Sequence, residues 1–388
     1  MARLIATVFA LAAVTLASMT HAAPSDAHAK KADEAITNSI ASLRTTQGAD
    51  GSWNAKPGPA VTGLVLAVLL DQPDIKRDDP TVAKAVQFIL KHVQKDGGIY
   101  PVMNDVGMLE NYNTSICVSA LSRLGNDPKI AEVVKNAKKY LKDSQWTQGQ
   151  ADPKGEKVGE DHPFYGGTGY GKHGRPDGSN LNVTLQAFID TGSDCKDPEI
   201  VAAVKFFSRL QGTKSNSQYG DKIKPDGGAV YATSVDKTKI GVPQSQAGEI
   251  VDADGKSKLR TYGSMTYAMF RSYVYAQLDK DDPRVVDALK WVRHNYTVEH
   301  NPGMPDDTKF AGYYYYLVTF SRALSAYGQA EIESADGKKH NWANDLIDKL
   351  ASLQKANGSW TNEQDRWLEG DADLVTAYAL TALQAARR

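Results

Sequence analysis

The sequence predicts an all-α protein in which six helix pairs close into an (α/α)6 toroid. Three observations predict it. First, six helical runs each reach a small residue followed by a large apolar one, at Ala67-Val68, Ala120-Leu121, Ala187-Phe188, Ser272-Tyr273, Ala323-Leu324 and Ala382-Leu383, spaced 53, 67, 85, 51 and 59 residues apart. Second, these runs are apolar nearly all round, as in PAVTGLVLAVLL and DADLVTAYALTAL, which marks buried helices. Third, amphipathic helices with Lys and Asp on one face precede them, so each repeat reads as an outer helix, a loop and an inner helix. Inner helices with no polar face left over favour closure into a ring with solvated outer helices.

The elements follow in order. Met1 to Ala22 reads as a secretory signal: Arg3 is the charged n-region, Leu4 to Ala17 the apolar stretch, and Thr20-His21-Ala22 offers a cut before Ala23. The stretch is shorter than the roughly 20 residues of a spanning helix. Export to a periplasmic or extracellular space is therefore expected. A disordered linker over residues 23–32 is expected next, with the toroid over 33–388. Outer helices are expected over Thr81 to Val93, Ile130 to Leu141, Ile200 to Leu210, Arg284 to His294 and Trp342 to Leu353. Asp79-Pro80, Asp127-Pro128, Asp197-Pro198 and Asp282-Pro283 open four of them, since Pro suits a first helical turn.

Composition narrows the function classes. A hydrophobic fraction of 41%, a charged fraction of 23% and a net charge of −1 exclude a disordered chain, a collagen and a polytopic membrane protein. Near-zero net charge also removes the electrostatic case for nucleic-acid binding. The two cysteines, Cys117 and Cys195, sit about eleven residues apart in height on parallel helices. At about 1.5 Å per residue that is roughly 16 Å, beyond the approximately 7 Å reach of a disulfide. Two free thiols are expected, Cys117 in the core.

A loop signature completes the repeat: Gln47…Asp50-Gly51-Ser52-Trp53, Asp96-Gly97-Gly98-Ile99-Tyr100, Asp226-Gly227-Gly228 and Gln354…Asn357-Gly358-Ser359-Trp360. Asp-Gly forms turns, and the aromatic can plug the space between repeats. Over about residues 33 to 385 these loops and the inner-helix pattern resemble the prenyltransferase and squalene-oxidase repeats of terpenoid cyclases, in particular the C-terminal half of squalene–hopene cyclases. The resemblance implies an α/α toroid and a cavity for an isoprenoid or triterpenoid. Cyclases of this kind protonate an alkene through an Asp-x-Asp-Asp motif. Asp371 and Asp373 match its first and third positions, the third being the donor, while Leu374 stands at the fourth. The same segment also reads as carboxylates complementing a helix N-terminus.

The loops entering the inner helices converge on one rim, where ligand-binding residues should lie. Aromatics dominate there. Tyr112, Tyr262, Tyr267, Trp367 and the run Tyr313 to Tyr316 are the candidates, with one or two of the four consecutive phenols able to face the cavity, together with Asn180. Tyr313 and Tyr316 are taken as the pair. Such rings suit a carbocation, a sugar face or an isoprenoid chain. No cofactor or metal is expected. The zinc ligands of protein prenyltransferases have no counterpart at Gly312 to Tyr316 or after Asp226-Gly227-Gly228. The segment Gly166 to His173 mimics a P-loop but lacks the Ser or Thr, and reads as a lid from which His173, Arg175 and Asp177 reach a ligand. Sparse cations argue against a diphosphate. Three functions follow: binding or cyclising a hydrophobic isoprenoid, acting on or binding a glycan (for a lyase, with Arg260 beside Tyr262 or His173 with Arg175), or a non-enzymatic partner interaction, none involving a stable membrane span.

Overall fold

The computed structural model describes residues 24–388 apart from 126, 253 and 254, so the expected signal segment lies outside the described residues. Outer and inner helices alternate: α1 (Asp26–Thr46) and α2 (Ala60–Leu70), α3 (Pro80–Leu90) and α4 (Glu110–Leu121), α5 (Pro128–Ser144) and α6 (Gly178–Asp190). They continue with α7 (Pro198–Leu210) and α8 (Gly263–Tyr275), α9 (Pro283–His294) and α10 (Tyr313–Tyr327), and α11 (Trp342–Leu353) and α12 (Ala372–Arg387). The inner helices pack in sequence, and α12 returns to pack on α2. That contact closes the ring. Three short antiparallel hairpins decorate it, at 102–107, 249–259 and 331–341. Among the described residues no helix is long and apolar enough to cross a membrane.

Three of the four Asp-Pro openings act as read. Asp79, Asp127 and Asp282 each accept backbone N–H bonds from the first turn of α3, α5 and α9. Asp197 instead accepts from Asp194 N, so α7 starts without a side-chain cap. The segment expected as a linker is helical from Asp26, capped by Ser25. It is the sixth outer helix. Its charged face is held by His28 and Lys31 on Asp348, while Ala32 and Ala35 are buried where α1 packs on α11 and α12.

The loop signature is a clamp between repeats. Gln47, Gln211 and Gln354 each donate to the carbonyl of their own loop glycine and to a carbonyl in the next outer helix around the ring: Thr81, Arg284 and Ala35. Gln145 does the same with Gly166 and Glu199, which reveals a repeat hidden by an insertion. Gly358 has φ +83°, and a Cβ there would stand 2.3 Å from Asn38 O of α1. Only glycine lets loop and helix backbones approach this closely. Trp53 and Trp360 are buried, their indoles donating to Leu43 O and Leu350 O at 2.8 and 2.9 Å. Both cysteines are free, with Cys117 buried.

Candidate functional site

Because all inner helices run the same way, their N-terminal ends and the six loops feeding them surround one cavity of about 290 Å³. This lies at the lower edge of the approximately 300–1,000 Å³ range of small-molecule pockets. Its floor is aliphatic, from Ala60, Val61 and Leu64 of α2, Met265 of α8 and Leu374 of α12. Its walls are aromatic. Tyr112, Tyr315 and Tyr378 rise from α4, α10 and α12, and Tyr170, Tyr231, Tyr262 and Trp367 come from the loops.

The phenols are tied to one another and to the wall. Tyr112 and Tyr378 share a hydroxyl contact of 3.3 Å, and Tyr315 accepts from Asn182 Nδ2 at 3.0 Å. Burial pushes Tyr112, Tyr262, Tyr315 and Tyr378 above the ordinary tyrosine value and Tyr170 up to about 12. They are therefore neutral at physiological pH, offering ring faces and hydroxyls but no phenolate.

The mouth is built from strained backbone. Trp367, Leu368 and Leu109 all line the cavity and adopt φ of 60°, 68° and 47°. For bulky side chains this left-handed region costs roughly 1–2 kcal/mol each. Such conformations persist where surroundings impose them and cluster at ligand sites. Here Arg366 stacks 4.2 Å over the Trp367 ring and donates to Gln246 Oε1 at 2.7 Å, fixing the indole at the entrance. At the entrance Trp367 and Leu368 are exposed, as are Val102, Met103 and Val106 of the hairpin that leads to Leu109.

One carboxyl lines the cavity. Glu369 is 1% exposed and accepts from Tyr315 N at 2.8 Å, Tyr314 N at 3.2 Å and Asn362 Nδ2 at 2.7 Å. It thus caps α10, whose own N-cap residue, Gly312, has no side chain to do so. Burial outweighs these bonds and raises its pKa to about 7. A second buried carboxyl, Asp177, sits behind the Tyr170 and Tyr231 wall. It accepts from Asn180 N and Nδ2 and faces Arg175 at 3.5 Å. Burial again raises its pKa, against the pull of Arg175.

The expected site residues divide. Tyr112, Tyr262 and Trp367 line the cavity. Asn180 is buried on Asp177, and Tyr267 packs among Trp291, Tyr316 and Phe320. Tyr313 and Tyr316 point outward to donate to Val298 O and Thr297 O, so Tyr315 is the member of its run that faces inward. Asp371 caps α12 through Leu374 N and accepts from Asn54 Nδ2. Asp373 accepts from Thr46 Oγ1 at 2.6 Å, and neither Asp lines the cavity. The expected lid is stitched down: Asn111 donates to Gly169 O and Gly171 O, and Trp146 to Gly174 O. Only Tyr170 of Gly166 to His173 reaches the cavity. Arg260 donates to Glu249 O on the hairpin at 249–259.

Sequence reasoning missed Tyr170, Tyr231, Tyr315, Tyr378 and Glu369. Tyr378 lies in the apolar run DADLVTAYALTAL, which reads as core, and Glu369 stands outside the Asp371 and Asp373 positions that the resemblance points to. Asp152, Glu156 and His162 form an acidic group elsewhere whose ligand atoms lie within 4.8 Å of one another. His162 Nδ1 accepts from Phe164 N, so Nε2 carries the proton that binds Asp152 at 3.3 Å. A metal would need that nitrogen's lone pair, so the trio fits a hydrogen-bonded pair better than a metal.

No family model and no curated protein matches the sequence. Solved structures do match in fold. An α-1,6-mannanase, GH76A of Salegentibacter sp. HEL1_6, aligns with TM-score 0.55 and 14% identity over 92% of this chain and 98% of that one. A novel α-amylase from Clostridium perfringens gives 0.53 and 11% over 91% and 97%. The type II terpene cyclase MstE from Scytonema gives 0.51 and 13% over 92% and 98%. The chain is an α/α toroid, a fold shared by glycan-active enzymes and a terpene cyclase, and fold alone does not assign its chemistry.

Proposed function

We propose that this toroid binds an uncharged, largely apolar ligand of isoprenoid type in the rim cavity, and that it binds without cyclising. The carrying observation is the wall itself: seven aromatic side chains over an aliphatic floor, with no Lys, Arg, His or Asp among the lining residues. Ring faces and buried apolar area would supply the affinity, and the phenol hydroxyls and Gln246 the orientation. The exposed apolar residues at the mouth suit the entry of such a ligand.

The acid chemistry argues for binding. Both oxygens of Glu369 already accept N–H bonds that hold α10, and Asp371 and Asp373 serve the helix end and Thr46. A glycosidase would need two carboxyl groups about 5–9.5 Å apart flanking a sugar bond. One carboxyl lines this cavity. The proposal includes export, with mature protein starting at Ala23, which N-terminal sequencing reads directly.

Trp367 provides the assay. Titrating a short prenol such as farnesol should change tryptophan emission saturably, and Tyr262→Ala should weaken binding at least tenfold. A linear, unsaturable response, or equal affinity in Tyr262→Ala, would refute the assignment of the cavity.

A further inference from the structure

At the opposite end of the ring, the C-terminal ends of all six inner helices surround a second cavity of about 240 Å³. Asp71, Arg123, Asp190, Arg322 and Arg388 line it. Arg271 lies behind the lining residue Tyr275, its guanidinium 4.8 Å over that ring. Four guanidiniums therefore meet two carboxylates.

The pairing leaves cations over. Arg123 Nε reaches Asp71 Oδ1 at 2.9 Å and its Nη1 reaches Asp190 Oδ2 at 3.4 Å. Arg388 takes the other oxygen of Asp71 at 2.9 Å, and Gln186 donates to Asp190 Oδ1 at 2.6 Å. Among the described residues Arg322 has no hydrogen-bond or ion-pair partner; its neighbours act on it only through space. Arg271 is 1% exposed; its Nη2 donates to Tyr275 at 3.1 Å, while Nε and Nη1 find no partner in the protein. Burial and repulsion from Arg271, against the attraction of Asp190, depress Arg322 to about 10.

Helix C-termini attract cations, because each carries roughly −0.5 charge. That accounts for Arg123, which donates to Ser119 O near the end of α4. It does not account for Arg271 and Arg322, which sit a turn or more inside the ends of α8 and α10. Arg271 is thus a buried charge left partly unpaired, which is destabilising, and Arg322 is a half-buried one. A planar guanidinium with free N–H groups is also the side chain best matched to an oxyanion.

We propose that this basal cavity binds a small oxyanion, a phosphate or sulfate group, held by Arg322 and Arg123 with Arg271 adding charge from behind Tyr275. The assignment is independent of what the rim binds. A third cavity of about 40 Å³ lies between the two, sharing Arg322 with the base and Tyr112, Tyr315 and Tyr378 with the rim. The oxyanion is thus either a free ion or the head of an amphiphile threaded along the axis.

The test is thermal unfolding of the purified protein in inorganic phosphate, in sulfate and in dodecyl phosphate, each against chloride at equal ionic strength. The melting temperature should rise by about 2 °C or more at saturation. Arg322→Met should abolish the rise while melting no lower than the parent in chloride. Arg271→Met serves as a second variant and should weaken apparent affinity at least tenfold. Full effect with phosphate or sulfate identifies a free ion, and an effect with dodecyl phosphate alone identifies an amphiphile's head. No rise with any of the three, or an equal rise in both variants, would overturn the site.

Discussion

Replacing Glu369 with Gln perturbs the one carboxyl of the rim cavity without changing its volume. Glu369 is buried, and its pKa is raised from an ordinary 4.5 to about 7. The folded chain therefore holds this proton to higher pH than the unfolded chain does. Between about pH 4.5 and 7 the native state binds more protons, so stability falls as pH rises, and above about 7 the loss is complete. At 1.36 kcal/mol per pH unit the loss is about 3 kcal/mol. Glu369→Gln cannot ionise and lacks this slope. It gives up one of three accepted bonds, since an amide has one acceptor oxygen for Tyr315 N on one side and Tyr314 N with Asn362 on the other. That costs about 1–3 kcal/mol at every pH. The assay is denaturant unfolding of both proteins from pH 4.5 to 8, read as the difference between them so that other groups cancel. The parent should be favoured by about 3 kcal/mol more at the acid end than at pH 8. A difference that stays flat, or that favours the parent more as pH rises, would refute the argument that burial dominates this carboxyl.

Other outcomes follow from the same structure. Gly358→Ala should destabilise the ring by more than about 1 kcal/mol, because the new Cβ meets Asn38 O and φ is +83°; thermal melting reads it. Trp367→Gly relieves a left-handed indole residue, so stability should stay within about 1 kcal/mol of the parent while prenol affinity, by calorimetry, falls at least tenfold. Thiol titration of native protein should find Cys195 alone, with Cys117 reacting only in denaturant, since it is buried and burial pushes its thiol up.

The ring was legible because its physics is local and periodic. Inner helices announce themselves by apolar runs, and three outer helices by Asp-Pro caps that do cap. Helix α1 was missed because its first two turns hold three charged residues and no apolar side chain larger than alanine; only Ala32, Ala35, Ile36 and their neighbours need burial, against α11 and α12 some 300 residues away. The cavity was half legible. Rim tyrosines could be named, but choosing Tyr315 over Tyr313 and Tyr316 requires the rotation of α10 about its axis, which depends on Glu369 holding its first turn. Choosing Glu369 over Asp371 and Asp373 requires the consecutive left-handed residues Trp367 and Leu368, which turn the chain inward before α12 begins. Tyr231 comes from the irregular stretch between α7 and α8, where no repeat marks it. The basal arginines escaped notice because they are scattered over α8, α10 and the residues just past α4 and α12, and only ring closure gathers them.

The central claim is that the aromatic cavity holds an apolar isoprenoid-type ligand. Native mass spectrometry of protein purified from its own source, before and after organic-solvent extraction, tests it most directly. The account predicts an adduct that leaves on extraction and fragments in isoprene steps, and that Tyr262→Ala fails to retain. A hexose-spaced adduct that survives extraction would contradict it and give the cavity to a glycan.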